Sequence, residues 1–508
     1  MMEHGTIAET LVINGQDLTL EEVREVAVDG RKIAIAVDAR KRMEASHALV
    51  GEILRSGKAT YGISTGFGEF SRIYLSEDKN NKLQLNLIRS HASGTGKPFD
   101  EKTARAIMLL RLNALCVGFS GVNPEVTDLL VSFLNLGITP VIPEQGSLGA
   151  SGDLANLAHM SLVLVGEGRA VVDGVEMSGH EALDARNLKH IRLSGKDGLA
   201  LINGTAVMLG VGTLAYLEAE DLLIAANGAA ALTFEALRGF KSAYDPRIHE
   251  LRKQQGQMKV ASEMRRLIEG SEYVDTRSGD VQDAYTLRCV PQVHGASLDA
   301  IGYVRNVLSS EANAVTDNPL VFAETCEVIS GGNFHGQPLA LAMDFLAIAV
   351  AELANISERR TERLVNPQLS GLPAFLIKNG GVQSGFMIPQ YVAASLVSEN
   401  KVLSHPASVD SIPSSANKED HVSMGAFAAR KVRTVIANTR RVIAIELMCA
   451  AQAIDLQEKR RLGEGTNRLY ELLRGTIPML KEDRPLSEDI ETVAELIERG
   501  QVTDALCF

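Results

Sequence analysis

The chain has 508 residues and lacks the marks of several large protein classes. Its five cysteines, Cys116, Cys289, Cys326, Cys449 and Cys507, are scattered, odd in number and never paired as Cys-x-x-Cys. They offer no disulfide framework and fit reduced thiols in a cytoplasmic protein. Excess positive charge is also missing: 51 Lys and Arg stand against 63 Asp and Glu, for a net charge of −12. With no basic run to offset it, that balance excludes nucleic acid as a partner. Residues 1–15 have neither a basic stretch nor an apolar core, so no secretory signal is expected. The most apolar stretch, Leu339 to Ala351, is interrupted by Asp344 and is too short to cross a bilayer. It reads as a buried helix, so no membrane partner is expected. There is no Gly-x-Ser-x-Gly elbow, no dinucleotide glycine fingerprint in a strand–helix setting and no His-Glu-x-x-His. A hydrolase triad, a nicotinamide enzyme and a metal centre therefore have no support.

What is present is ordinary globular composition, 45% hydrophobic and 22% charged. Near the start, Leu11-Val12-Ile13 before Asn14-Gly15 predicts a strand and a tight turn. Thr19 and Glu22 have capping-box spacing. Asn123-Pro124 predicts a helix start, Gly137 its stop, and Ala170 to Met177 a hairpin turning on Asp173-Gly174. Beyond about residue 195 the pattern becomes that of long helices: Gly204 to Leu237, Pro338 to Val365, Tyr391 to Leu403 and Val422 to Leu456. The expected fold is mainly α, a long-helix bundle core with a smaller mixed α/β N-terminal region. The expected division is 1–195, 196–456 and a charged, solvated helical tail over 457–508. Gly270 to Asp280 reads as a mobile loop, and Ser404 to Ala416 as a segment that wraps a surface or lines a pocket.

The chemistry-bearing feature is Ala150-Ser151-Gly152, inside Ser147-Leu148-Gly149-Ala150-Ser151-Gly152-Asp153. The Gly152 amide nitrogen, with no Cβ to hinder it, is able to attack the Ala150 carbonyl carbon. Loss of the Ser151 hydroxyl then leaves an exocyclic methylene on a five-membered ring, an electrophile that needs no external cofactor. Tyr61, in Tyr61-Gly62-Ile63-Ser64-Thr65-Gly66-Phe67-Gly68, reads either as a packed turn residue or as a base whose pKa a nearby positive field must lower. Tyr285 and Arg288 are one helical turn apart in Gln282-Asp283-Ala284-Tyr285-Thr286-Leu287-Arg288, so Arg288 is either a surface ion-pair partner or a fork for a substrate carboxylate. Gly331-Gly332-Asn333-Phe334-His335-Gly336 is a connecting turn or a close approach of backbone to ligand. Ser415 to His421 reads as a hydrogen-bonded charge cluster.

Together and in this order, over roughly residues 10–456, these segments resemble the aromatic amino acid ammonia-lyase family. The resemblance implies that Ala150, Ser151 and Gly152 form a 4-methylidene-imidazol-5-one (MIO) group. It makes Tyr61 the base for the β-proton and Asn203 the asparagine beside ring and substrate. Gln282, Tyr285 and Arg288 become the segment that holds the carboxylate, and Phe334 the site aromatic. Ser90-His91 and Glu419 occupy positions where phenylalanine- and tyrosine-directed members carry Phe-Leu or His-Leu, and glutamine. A histidine and a carboxylate suit an imidazole, which donates and accepts hydrogen bonds. The implied reaction is removal of ammonia from L-histidine to give trans-urocanate, the first step of histidine degradation, by a homotetramer with shared sites. The alternatives are a tyrosine or phenylalanine ammonia-lyase or a 2,3-aminomutase on the same scaffold and, more remotely, an inactive helical oligomer. The chain departs from the family pattern at Ser64, Asn156, Ala206 and Lys418.

Overall fold

The computed structural model describes residues 9–56, 59–60, 62–65 and 76–506. The fold is mainly α, as expected. Among the described residues the strands are short and form four sheets of two or three strands each. The chain divides into two compact units. The first comprises Met1–Leu214, Arg305–Asp344 and Pro406–Arg430; the second Ala215–Val304, Phe345–His405 and Lys431–Phe508.

In the first unit local signals set the element ends. Thr19 Oγ accepts from the Glu22 amide at 3.1 Å, and Glu22 returns a bond to the Thr19 amide at 2.9 Å, starting the helix Leu20–Ala27. Asn123 caps Pro124–Leu136, and Gly137 ends it in the left-handed conformation at φ 71°. The hairpin pairs Val172 with Val175 and Arg169 with Ser178, and a third strand, Ile138–Pro140, joins it. Leu11–Ile13 is a strand, but its partner is the parallel segment Ile33–Ile35. At the centre lies Glu101–Cys116, buried on nearly every face.

The second unit is built on helices packed lengthwise. Thr233, on the helix Ala206–Ala236, donates to Glu446 of Gly425–Asp455 at 2.8 Å. Ser357, on Gln337–Val365, donates to the other Glu446 oxygen at 2.6 Å, and Ser297 of Val290–Ala312 donates to the Ala349 carbonyl at 2.8 Å. Arg360 completes the cluster with two bonds to Glu446, at 2.5 and 2.8 Å, both side chains being fully buried. The predicted stripe Leu346, Ala349, Leu353 and Ile356 is buried, as is most of the apolar part of its helix. That helix runs over 29 residues and is long and apolar enough by composition to span a membrane, yet 72% of its apolar window is buried within the protein.

The C-terminal segment differs from the solvated tail expected. It forms the helices Glu464–Thr476, Ser487–Glu498 and Gln501–Leu506, which bury Leu469, Leu473, Val493 and Leu506. The charges lie on one side of each helix and the apolar residues on the other, so charge content alone hid an amphipathic pattern. The Gly270–Asp280 segment has no regular structure, yet Tyr273 is buried and donates to the Glu458 carbonyl at 3.1 Å.

Candidate active site

Ala150-Ser151-Gly152 lies in the first unit on an irregular loop between Pro143–Gln145 and the helix Leu154–Leu164. Gly152 has φ 73°, and a Cβ there would overlap the Gly204 carbonyl. The two glycines form an isolated parallel bridge, and the Asp153 amide donates to the Gly204 carbonyl at 2.8 Å. Asn203-Gly204-Thr205 is thereby laid against the triplet. Asn203 is buried, and its Oδ1 finds no hydrogen-bond partner among the described residues. An amide oxygen left unpaired at this depth is open to a substrate or ring group.

Asp153, which no residue pattern in the sequence singles out, organises the loop. One carboxylate oxygen accepts from the Val207 and Met208 amides, both at 2.9 Å; the other accepts from Ser147 Oγ at 2.8 Å. Burial nevertheless pushes its carboxyl up to about 6, against those three bonds. Ser147 Oγ also lies 3.2 Å from the Gly152 carbonyl oxygen. The neighbouring Thr205 hydroxyl donates to Glu311 at 2.6 Å, and burial raises the Glu311 carboxyl as well.

Several helices begin around this loop. Asp153 stands at the start of Leu154–Leu164 and bonds the first turn of Ala206–Ala236. A Cβ at Gly149 would meet Ser423 and Met208; one at Gly336 or Gly425 would meet the same two side chains. The starts of Gln337–Val365 and Gly425–Asp455 are therefore packed on the same spot. Unpaired N–H groups and helix dipoles at such ends favour negative charge.

Glu419 reaches the triplet directly. Ser151 Oγ donates to its Oε1 at 2.8 Å, and Ser414 Oγ donates to its Oε2, also at 2.8 Å. The backbones of Ser414 and Glu419 pair as an antiparallel bridge, so the segment read as a charge cluster is a tight, hydrogen-bonded turn. Half-buried His91 lies in the field of Glu419. Burial depresses its pKa, while a bond to the Leu87 backbone and the Glu419 charge oppose the shift. Ser90 Oγ is 3.0 Å from His91 Nδ1. Half-buried Phe334 precedes His335, whose ring stacks on His421 with centroids 5.6 Å apart. Among the described residues no three His, Cys, Asp or Glu side chains gather as a metal site.

Tyr61 lies outside the described residues. Gln282, Tyr285 and Arg288 belong to the second unit. Tyr285 is 72% exposed, and the Arg288 guanidinium stacks over its ring at 4.6 Å. Arg288 Nε is buried with no hydrogen-bond partner among the described residues. Ala206, a departure from the family pattern, is buried at the first turn of its helix.

A long-helix fold whose helix starts gather on an Ala-Ser-Gly turn beside a carboxylate fits the ammonia-lyase resemblance of the sequence. Residues 18–475 match the family model described as aromatic amino acid lyase, and the chain belongs to that family. It is 59% identical to a histidine ammonia-lyase of Treponema denticola, over 98% of both chains. Among solved structures it resembles the histidine ammonia-lyase of Trypanosoma cruzi, with TM-score 0.92, 42% identity and coverage of 98% of this chain and 95% of that one. It also resembles a tyrosine aminomutase of Streptomyces globisporus, with TM-score 0.94, 38% identity and 98% of both chains covered.

Proposed function

We propose that the protein eliminates ammonia from L-histidine to give trans-urocanate, using a 4-methylidene-imidazol-5-one made from Ala150, Ser151 and Gly152. The observation that carries this reading is the Glu419 carboxylate at 2.8 Å from Ser151 Oγ, with His91 in its field. An imidazole N–H finds an acceptor there, whereas a phenyl ring leaves the carboxylate unpaired at a cost. The high identity to histidine-directed relatives points the same way.

The residues present fit the ring. Gly152 carries no Cβ to hinder its nitrogen and sits where one would collide with the Gly204 carbonyl, and Asn203 Oδ1, without a partner among the described residues, is open to a ring-bound or substrate group. The Ala150-Ser151-Gly152 loop, backed by Gly204 and Asn203, would hold the ring, which would supply an electrophilic carbon for the substrate amine. The rest is the work of the chain. Arg288 grips the substrate carboxylate with its planar fork. Tyr61 removes the β-proton, its base form requiring a lowered pKa. Glu419 and His91 orient the imidazole, and the gathered helix starts stabilise negative charge as it develops.

Exposed Tyr285, Gln282 and the apolar residues Ile388, Tyr391 and Val392 on the helix Met387–Leu403 leave a surface open to association, and the proposed assembly is a homotetramer in which copies complete one another's sites. Such an enzyme acts on a small amino acid in the cytoplasm. The test is purified protein mixed with L-histidine, L-tyrosine or L-phenylalanine and followed by absorbance of the unsaturated product. Turnover of tyrosine without histidine overturns the substrate assignment.

A further inference from the structure

The bond between Ser151 and Glu419 exists only before the ring forms, because ring formation removes the Ser151 hydroxyl. Glu419 is fully engaged in this state: Ser151 holds Oε1 and Ser414 holds Oε2. Once the hydroxyl has gone, Oε1 has lost its partner while Ser414 still fixes Oε2. We infer that Glu419 acts twice: it first holds the Ser151 hydroxyl for its departure, and is then released by that departure to receive the substrate ring. Ser414 is the positioning residue for both tasks. The inference rests on the proposed cyclisation.

The chemistry balances without a co-reactant. Gly152 N bonds to the Ala150 carbonyl carbon. The amide protons of Gly152 and Ser151 leave with the Ala150 oxygen as one water, and a C=N bond forms between Ala150 C and Ser151 N. The Ser151 Cα–H bond then breaks, its electron pair becomes the Cα=Cβ bond, and Cβ–Oγ breaks. The departing hydroxide takes up the proton from Cα as a second water, so Glu419 ends with the protons it began with. Its contribution is to hold Oγ in one rotamer while the leaving bond aligns with the breaking Cα–H bond. A hydroxyl free to rotate spends less time in that alignment.

The loop is braced for this step. Gly152 is pinned to Gly204, Gly149 is wedged against Ser423, and the Met424 amide donates to the Leu148 carbonyl at 2.9 Å. That last bond ties the segment carrying Glu419 to the triplet loop, so the two partners of the 2.8 Å bond are held from both sides.

The experiment follows ring formation rather than turnover. Wild type, Glu419→Gln, Glu419→Leu, Ser414→Ala and Ser414→Thr are purified at early times after synthesis. Each is followed by intact mass and near-ultraviolet absorbance, with circular dichroism as the check on folding. Wild type is expected to lose two waters. Glu419→Leu and Ser414→Ala mature about tenfold more slowly, as loss of one charge-assisted hydrogen bond implies. Glu419→Gln, which keeps an acceptor, and Ser414→Thr, which keeps the donor, mature nearly as fast as wild type. Full, unreduced mass in active wild type overturns the cyclisation itself. Dehydrated wild type with equally fast, folded Glu419→Leu overturns only the role of Glu419. If Glu419→Leu is unfolded, the contrast of Ser414→Ala with Ser414→Thr decides: equal rates overturn the inference, and a slow alanine variant rescued by threonine supports it.

Discussion

Gly152 and Gly204 lie backbone against backbone, so close that neither tolerates a side chain: a Cβ on Gly152 overlaps the Gly204 carbonyl, and one on Gly204 overlaps Arg111 and the Thr316 carbonyl. Arg111 is itself fully buried and bonds the Ala200 and Thr316 carbonyls, so the wall behind Gly204 is rigid.

Gly152→Ala is therefore expected to abolish ring formation and to destabilise the fold. The positive φ alone costs roughly 1–2 kcal/mol for an alanine, and the overlap adds to it. Intact mass and thermal melting check both effects. A folded variant that still sheds two waters removes the close-packing argument.

Asp153 makes stability depend on pH in an unusual direction for a carboxylate. Burial raises its pKa from 3.8 to about 6 in the folded protein. Between those values the native state binds more protons than the unfolded state, so this contribution is full below about pH 4 and is lost as pH rises through about 6. The lost stability is on the order of 3 kcal/mol. Asp153→Asn should flatten that slope. Urea denaturation of both proteins across this range measures the difference, and a slope unchanged by the substitution refutes the prediction.

Glu419→Gln should lower kcat/KM for histidine by about 10- to 100-fold, the range expected for a hydrogen bond to a charged group. Its effect on any turnover of tyrosine or phenylalanine should be small. An equal fall for all substrates shows that Glu419 does not read the imidazole.

The Arg360–Glu446 pair tests the bundle apart from the site. Arg360→Met strands the Glu446 carboxylate among Thr233 and Ser357 and should cost about 3–5 kcal/mol. Arg360→Met combined with Glu446→Leu should recover much of that loss, because no charge remains buried. Chemical denaturation of the single and double variants gives the answer, and a double variant no better than the single contradicts it.

Tyr391→Lys should weaken assembly and lower activity in step, since Tyr391 is exposed on a helix with few buried residues. Light scattering with parallel activity assays checks this. Full activity in dissociated protein is incompatible with shared sites.

Much of this was legible in the chain because the governing interactions are local. The Thr19–Glu22 box, the Asn123 cap, the Gly137 stop and the Asp173-Gly174 hairpin each depend on a few adjacent residues, and all appear where the spacing puts them. The long helices were legible from periodicity. The parallel partner of Leu11–Ile13 was not, because pairing across twenty residues leaves no local mark. The buried face of the C-terminal helices was hidden behind their charge. Asp153 was visible inside the motif, but its hold on Val207 and Met208 spans more than fifty residues. Ser423 and Met208 carried no signal, since their importance lies in what packs against them, and Ser414 carried only its place in the segment read as wrapping a surface or lining a pocket.

The amino-acid order alone determined the tripeptide proposed to cyclise, because that reaction needs three adjacent residue types and a glycine free of Cβ. It also determined the helical class through the spacing of apolar side chains. Only the tertiary structure decided that a glutamate 268 residues away meets Ser151, and that helix starts from distant parts of the chain gather there. Those meetings follow from backbone packing and desolvation between segments, whose energies depend on positions in space that no local pattern encodes.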